Sequence, residues 1–204
     1  MNDLFAVLGD PALQQNLLRQ TGEHITLSLA AVGLAILAAV PLGIVLTRLE
    51  RFAEPVMAAV SVLQTLPSLA LLAFMIPLLG IGRTPALVAL FLYALLPILR
   101  NTYTGLREVP ANLREAGRGM GMSNLQLLRM VELPVAFPVI LTGIRTSAVM
   151  VIGWATLAAF VGGGGLGDTI LTGFAMVSTP HILAGGIPVT LLALLTDFLL
   201  GRLE

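Results

Sequence analysis

Glu115-Ala116-Gly117-Arg118-Gly119-Met120-Gly121-Met122-Ser123-Asn124-Leu125-Gln126-Leu127-Leu128-Arg129-Met130-Val131-Glu132-Leu133-Pro134 is the one long polar interval in an otherwise apolar chain. With Arg114 just before it, it gathers three arginines, two glutamates, Asn124 and Gln126, with apolar residues between them. Met122, Leu125, Leu128 and Val131 recur at helical steps, so the second half reads as an amphipathic helix. Gly117, Gly119 and Gly121 interrupt the approach to it, and Ser123 stands where an N-cap is expected. The pattern predicts a short helix–turn–helix in water, held against something other than lipid.

The rest of the chain explains why this interval stands out. Hydrophobic residues make up 57% of the sequence and charged residues 11%, against about a quarter charged in soluble domains. Mean hydropathy is +0.96. The composition is that of an all-α integral membrane protein. There is no cysteine, which excludes disulfides, thiol redox chemistry and thiolate metal sites. All 11 basic residues are arginine, balanced by 11 acids. Asp3 and Asp10 precede the first basic residue, Arg19, so the start lacks the positive region of a signal peptide. No basic patch of the nucleic-acid-binding kind is present.

Residues 1–24 form the first of two expected regions. Leu4, Phe5 and Leu8, then a break at Asp10-Pro11, then Leu13, Leu17 and Leu18 suggest a segment lying on the membrane surface. Residues 25–204 form the transmembrane region. A bilayer core takes roughly twenty apolar residues in helix. Spans are expected from Ile25 to Leu46, Pro55 to Leu79, Pro85 to Ile98, Val135 to Val161 and His181 to Leu200. The polar loop, about 100–134, separates the third from the fourth, and Ile170 to Val177 is too short to cross. Five spans place the two ends on opposite sides. With the polar loop cytoplasmic, the inside holds Arg48, Arg51, Arg100, Arg107, Arg114, Arg118, Arg129 and Arg202. The outside then keeps Arg19 and Arg83, so the N-terminus is expected outside and the C-terminus inside.

Within the spans, polar residues need a reason. Arg145 and Asp197 fall in the same half of the membrane and are expected to pair, a structural tie or a substrate counter-charge. Gln64, Thr65, Pro67 and Ser68 put polar groups and a helix breaker at mid-membrane. A freed carbonyl there turns that face toward protein or a water-filled path. Tyr93, Trp154 and Phe160 are aromatic faces able to hold a cation, or packing. Gly162, Gly163, Gly164, Gly165 and Gly167 form a Gly-rich segment without the Lys-Ser/Thr ending or flanking strand of a phosphate loop. By itself it reads as a flexible turn. His24 and His181 have no carboxylate at metal spacing, no serine has a basic partner, and neither an enzyme nor a metal site is expected.

The polar interval also carries a resemblance. Glu115, Ala116, Gly121, Val131, Leu133 and Pro134 are spaced as in the EAA loop of permease subunits of ATP-binding-cassette (ABC) importers. Gly117 stands where that pattern has a second alanine, which lowers helix propensity by up to about 1 kcal/mol. The resemblance implies the type I importer permease fold, five transmembrane helices with a cytoplasmic coupling helix that docks on an ATPase subunit through Glu115, Ala116, Gly117, Gly121, Val131, Leu133 and Pro134. Leu63-Gln64-Thr65-Leu66-Pro67-Ser68-Leu69-Ala70, the run from Phe91 to Gly105, and Gly143-Ile144-Arg145-Thr146 resemble the osmoprotectant branch, which imports glycine betaine, choline or carnitine. The implied partners are a dimer of ATPase subunits that bind ATP and Mg, a second permease subunit in a homo- or heterodimer, membrane lipid, and a separate substrate-binding protein outside, since no such domain follows within Glu204. The Gly-rich segment would face that protein. The implied setting is a bacterial or archaeal cytoplasmic membrane. A methionine or other amino-acid importer is the near alternative. An ion-coupled secondary transporter or a membrane scaffold are rivals from other classes, against which the odd span count and the polar break in the second span weigh.

Overall fold

The computed structural model describes residues 9–203, and Leu4, Phe5 and Leu8 of the expected surface segment lie outside them. Helix α1 (Pro11–Arg48) opens with Asp10, whose carboxylate accepts the Ala12 N–H at 2.9 Å, and with Pro11 in its first turn. These residues therefore start the helix rather than interrupt it. Its 38 residues run about 57 Å at 1.5 Å each, nearly twice a bilayer core. No break occurs at residue 24. A buried stripe of Gln20, His24, Leu27, Ala31, Ala35, Ala39 and Gly43 continues straight through that position, so the expected surface segment is, from Pro11 on, the near end of the first span's own helix.

A turn at Glu50–Phe52 leads to α2 (Ala53–Thr65) and α3 (Ser68–Leu79). The single interrupted span expected here is instead two short helices meeting at 98°. Pro67 is the cause. A proline bars its predecessor from helical dihedrals, and Leu66 sits at φ −69°, ψ 134°. Helix α4 (Arg83–Arg107) continues past Ile98, where the third span was expected to end. Among the described residues, four helical columns are long and apolar enough to cross a membrane, and the bent pair makes a fifth if it crosses as one.

The polar interval is built from α5 (Ala111–Gly119), a turn, α6 (Asn124–Leu127) and a π-helical turn, Leu128–Glu132, that runs into α7 (Leu133–Trp154). Its second arm is thus the beginning of the fourth span's column, not a separate helix. The Leu133 N–H reaches back to the Leu128 carbonyl, five residues away. This widened register carries the helix across Pro134, which has no N–H to give. A 3-10 stretch, Ala155–Val161, ends that column, and α8 (Gly167–Ala175) and α9 (Thr179–Gly201) follow. No strand occurs among the described residues.

Helix α4 lies at the centre, against α1, α7 and the bent pair. Small residues set its spacing, as close helix contacts in lipid require. A Cβ on Gly43 would fall 2.8 Å from Thr102 Cβ, and one on Gly105 would fall 2.9 Å from Val139 Cβ. A Cβ on Gly143 would sit 2.6 Å from Asn101 Cβ and 2.8 Å from the Pro97 carbonyl, atoms that cannot move without the backbone. Gly143→Ala is therefore expected to destabilise by about 1–3 kcal/mol, the range for overpacking. Gly153→Ala on the same helix has open space around it and should leave the melting temperature in detergent unchanged. Equal melting of the two variants would contradict this packing.

Candidate functional site

The hairpin between α4 and α7 ends α5 with a glycine-dependent turn. Gly121 has φ +79°. Its N–H donates to the Arg118 carbonyl at 2.9 Å, and the Met122 N–H donates to the Gly117 carbonyl at 3.1 Å. This pair of bonds is the Schellman motif, which needs a left-handed residue at the position Gly121 fills. Ser123 then caps α6: its hydroxyl accepts the Gln126 N–H, and Gln126 Oε1 accepts the Ser123 N–H at 2.8 Å. The two arms close on Gly117, which is buried. Its missing Cβ leaves room for Leu127 Cδ1, 2.6 Å from that point, and for Met122 Sδ, 3.3 Å away.

The buried face of the second arm differs from the expected one. Leu127 is 1% exposed, whereas Leu125 is 55% exposed. Leu127 fills the space left by Gly117, and that contact sets the buried face of α6. Met120, Leu125 and Met130 are exposed beside the turn, and Glu115, Ala116 and Pro134 are exposed as well. Glu115 has no ion pair within the chain among the described residues. Val131 and Leu133 are half-buried.

A different glutamate holds the hairpin in place. Glu132, in the π turn, is 2% exposed and pairs with Arg48 at the end of α1 and with Arg114 Nε of α5 at 3.3 Å. Arg114 also donates to the Leu106 carbonyl in the last turn of α4. Sequence reading missed this knot. Glu132 falls at the unspecified position between Val131 and Leu133, and nothing in the sequence ties position 48 to position 132.

At the corner between α2 and α3 the structure gathers Gln64, Ser68, Tyr93 and Trp154. The Tyr93 hydroxyl donates to the Leu66 carbonyl at 2.7 Å, and Gln64 Nε2 donates to the Tyr93 carbonyl at 3.0 Å. Tyr93 is thus the brace that satisfies the backbone opened by Pro67. Its ring lies 4.4 Å from that of Trp154 at 56°. The cavity between Ser68, Tyr93 and Trp154 holds about 10 Å³, room for no more than one water. Thr65 and Pro67 are exposed on its outer side, and Phe160 is exposed elsewhere at the end of the fourth column.

Arg145 of α7 donates to Asp197 of α9 through Nε at 2.6 Å and Nη2 at 2.9 Å, a two-pronged fork of the kind carboxylates favour. Gly201 makes room for it, since a Cβ there would lie 2.9 Å from Arg145 Cζ. Asp197→Leu should lower the yield and melting temperature of the purified protein. The double variant Arg145→Leu/Asp197→Leu should recover much of both, because removing a whole ion pair costs less than stranding one member. A double variant no better than the single one would show that the two residues act separately.

The Gly-rich segment lies at the opposite end of the bundle from the hairpin. Gly162, Gly164 and Gly165 have positive φ, and Gly163 packs against Ala158 and Ala86. The segment is pinned rather than loose. The Gly165 N–H donates to Glu23 Oε2 at 3.2 Å, and Glu23 also pairs with Arg19 at 2.6 Å and Arg83 at 3.2 Å. Thr169 donates to Gln20 at 2.6 Å, and His24 Nε2 to the Ile152 carbonyl at 2.9 Å. At Gly167 a Cβ would fall 2.0 Å from the Thr156 carbonyl, so α8 crosses there backbone on backbone. An open polar pocket of about 270 Å³ lies among Arg19, Glu23, Arg83 and Asp168. Burial, and then the Glu23 charge, push the Asp168 carboxyl above its ordinary range.

A helical membrane bundle with a broken second span, a water-facing hairpin and a fixed glycine-rich opposite end is the architecture of a transport-system membrane subunit. The chain belongs to the family of binding-protein-dependent transport system inner membrane components, whose pattern matches residues 31–204. It is 57% identical over 188 residues to the choline transport system permease protein OpuBB of Bacillus subtilis, covering 92% of this chain and 87% of that one. The carnitine transport permease protein OpuCB of Listeria monocytogenes is 59% identical, covering 93% and 87%. The osmoprotectant import permease protein OsmW of Salmonella typhimurium is 49% identical, covering 90% and 88%. Among solved structures, an inward-facing conformation of the MetNI methionine ABC transporter matches with TM-score 0.82 at 25% identity, covering 95% of this chain and 97% of that one. An amino acid ABC transporter crystallised with histidines matches with TM-score 0.75 at 17% identity, over 94% of each chain. The type I importer permease fold is thereby established.

Proposed function

We propose that this chain is the transmembrane permease subunit of an ATP-driven importer of quaternary-amine osmoprotectants: glycine betaine, choline or carnitine. The identity of more than half to relatives named for choline and carnitine carries the substrate class. Likeness to the methionine transporter is weaker in sequence and speaks for fold. The class of mechanism rests on the hairpin. Met120, Leu125 and Met130 are exposed apolar residues on an element tied internally by Glu132. Such a rigid knob suits a groove on another protein, and in this reading that protein is an ATPase subunit. Glu115, Ala116, Gly117, Gly121, Val131, Leu133 and Pro134 build the docking element, and Glu115 keeps its carboxylate free for the partner.

With the hairpin cytoplasmic, the N-terminus lies outside, the C-terminus inside, and the Gly-rich end faces a separate substrate-binding protein. A second permease subunit completes the path. Closure of the ATPase dimer on ATP moves the hairpin, and the spans reorient toward the outside. In this reading Gln64, Thr65, Pro67, Ser68, Tyr93 and Trp154 line the path. Hydrolysis belongs to the partner, which binds ATP and Mg.

Uptake of radiolabelled choline, glycine betaine, carnitine and methionine should be compared in cells deleted for their own osmoprotectant importers and supplied with the complete system. Accumulation of one or more quaternary amines, uncompeted by methionine, is expected. Methionine accumulation alone would move the substrate class to amino acids.

A further inference from the structure

Helix α1 packs along α4, and its last turn reaches the hairpin. Arg48 closes on Glu132, the carboxylate that also holds Arg114, and Arg114 holds the Leu106 carbonyl of α4. One buried group therefore joins the ends of α1 and α4 to the root of α7. A second ion pair at this end, Arg107 to Glu50 at 3.1 Å, links α4 to the turn after α1 with both side chains largely exposed. Such exposed pairs hold little. Glu132 is shared between Arg48 and Arg114, and a buried carboxylate favours keeping its guanidinium partners, so a shift of the hairpin that moves Glu132 pulls on both. The π turn that carries Glu132 is the locally irregular stretch able to yield as they do.

We propose that Glu132 is a positioning residue that makes α1, through Arg48, a driven part of the coupling machinery rather than a passive outer helix. A displacement of the hairpin is then delivered to α1 at its Arg48 end, and α1 carries it along its length to Glu23 and the Gly-rich segment at the other end. This inference rests on the reading of the hairpin as the ATPase-docking element.

The test uses the complete complex of permease, ATPase and binding protein in proteoliposomes, with uptake and ATP hydrolysis measured on the same preparation. Arg48→Gln is the variant of choice, because Arg48 is 45% exposed at a helix end and its loss leaves Arg114 on Glu132. Its melting temperature and its hydrolysis stimulated by loaded binding protein should stay close to wild type. Substrate imported per ATP should fall about fivefold or more, the scale of a coupling free energy between sites. Arg48→Lys should restore part of that ratio, and Arg107→Gln should not change it. An unchanged ratio in Arg48→Gln would overturn the inference. So would a parallel fall of uptake, hydrolysis and melting temperature, which would make the knot a brace and nothing more. If uptake by the wild-type complex ignores ATP, the proposed function itself fails, and that is seen before any substitution is made.

Discussion

Gly121→Val is expected to separate ATP hydrolysis from import while leaving the membrane bundle folded. Space is not the issue, since nothing lies within 4 Å of the Cβ position. The backbone is the issue. At φ +79° an L-residue costs about 1–2 kcal/mol, and a β-branched one more. Relaxing that strain undoes the Schellman bonds to Arg118 and Gly117 and swings Met120 and Leu125 away from their positions beside the turn. The knob presented to the ATPase changes shape, whereas the helices above it are untouched. Circular dichroism should match wild type and the melting temperature should fall only slightly, by the local strain at the turn, while uptake falls to background and hydrolysis no longer responds to substrate. Gly119→Ala supplies the control. Gly119 also has open space, but its backbone is helical, so alanine should raise helix stability by up to about 1 kcal/mol and keep transport. Normal import by Gly121→Val would count heavily against the hairpin as the coupling element.

Glu132→Ala should be the most damaging single change at this end of the molecule. It leaves Arg114 against the Leu106 carbonyl with no counter-charge and opens a hole beneath the π turn. Losing one member of a fully buried pair costs about 3–5 kcal/mol. Here Arg48 is 45% and Arg114 29% exposed, so water recovers part of that, and the loss should lie at or below the low end of the range. Thermal unfolding in detergent should show a clear drop for Glu132→Ala and a smaller one for Glu132→Gln, which keeps the volume and some of the hydrogen bonds. A Glu132→Ala protein as stable as wild type would mean that Arg48 and Arg114 do not depend on this carboxylate.

How much of this was legible in the sequence varies with the reach of each interaction. Pro67 announced a break in the second span, because its effect on Leu66 is local. The 98° corner it opens depends on Tyr93 bonding Leu66 from another helix, which no local pattern reveals. Ser123 was readable as a cap for the same local reason. The face of the helix after it was misjudged at Leu125, because it is set by Leu127 packing under Gly117 rather than by periodicity. Arg145 and Asp197 were legible as partners, since charges within spans have few places to go. Arg48 and Glu132 were not, since both looked like ordinary loop charges. The Gly-rich stretch looked flexible because glycine permits mobility. Its fixation comes from Glu23, Gln20 and His24 on α1, residues that seemed to belong to a separate surface segment.

The most direct measurement is uptake of labelled choline and glycine betaine into proteoliposomes holding this chain, its ATPase and its binding protein, with ATP sealed inside or left out. Accumulation only when ATP is enclosed, unaffected by collapsing ion gradients and lost in Gly121→Val, is the predicted result. Accumulation driven by an ion gradient without ATP would contradict the account from Glu115 onward.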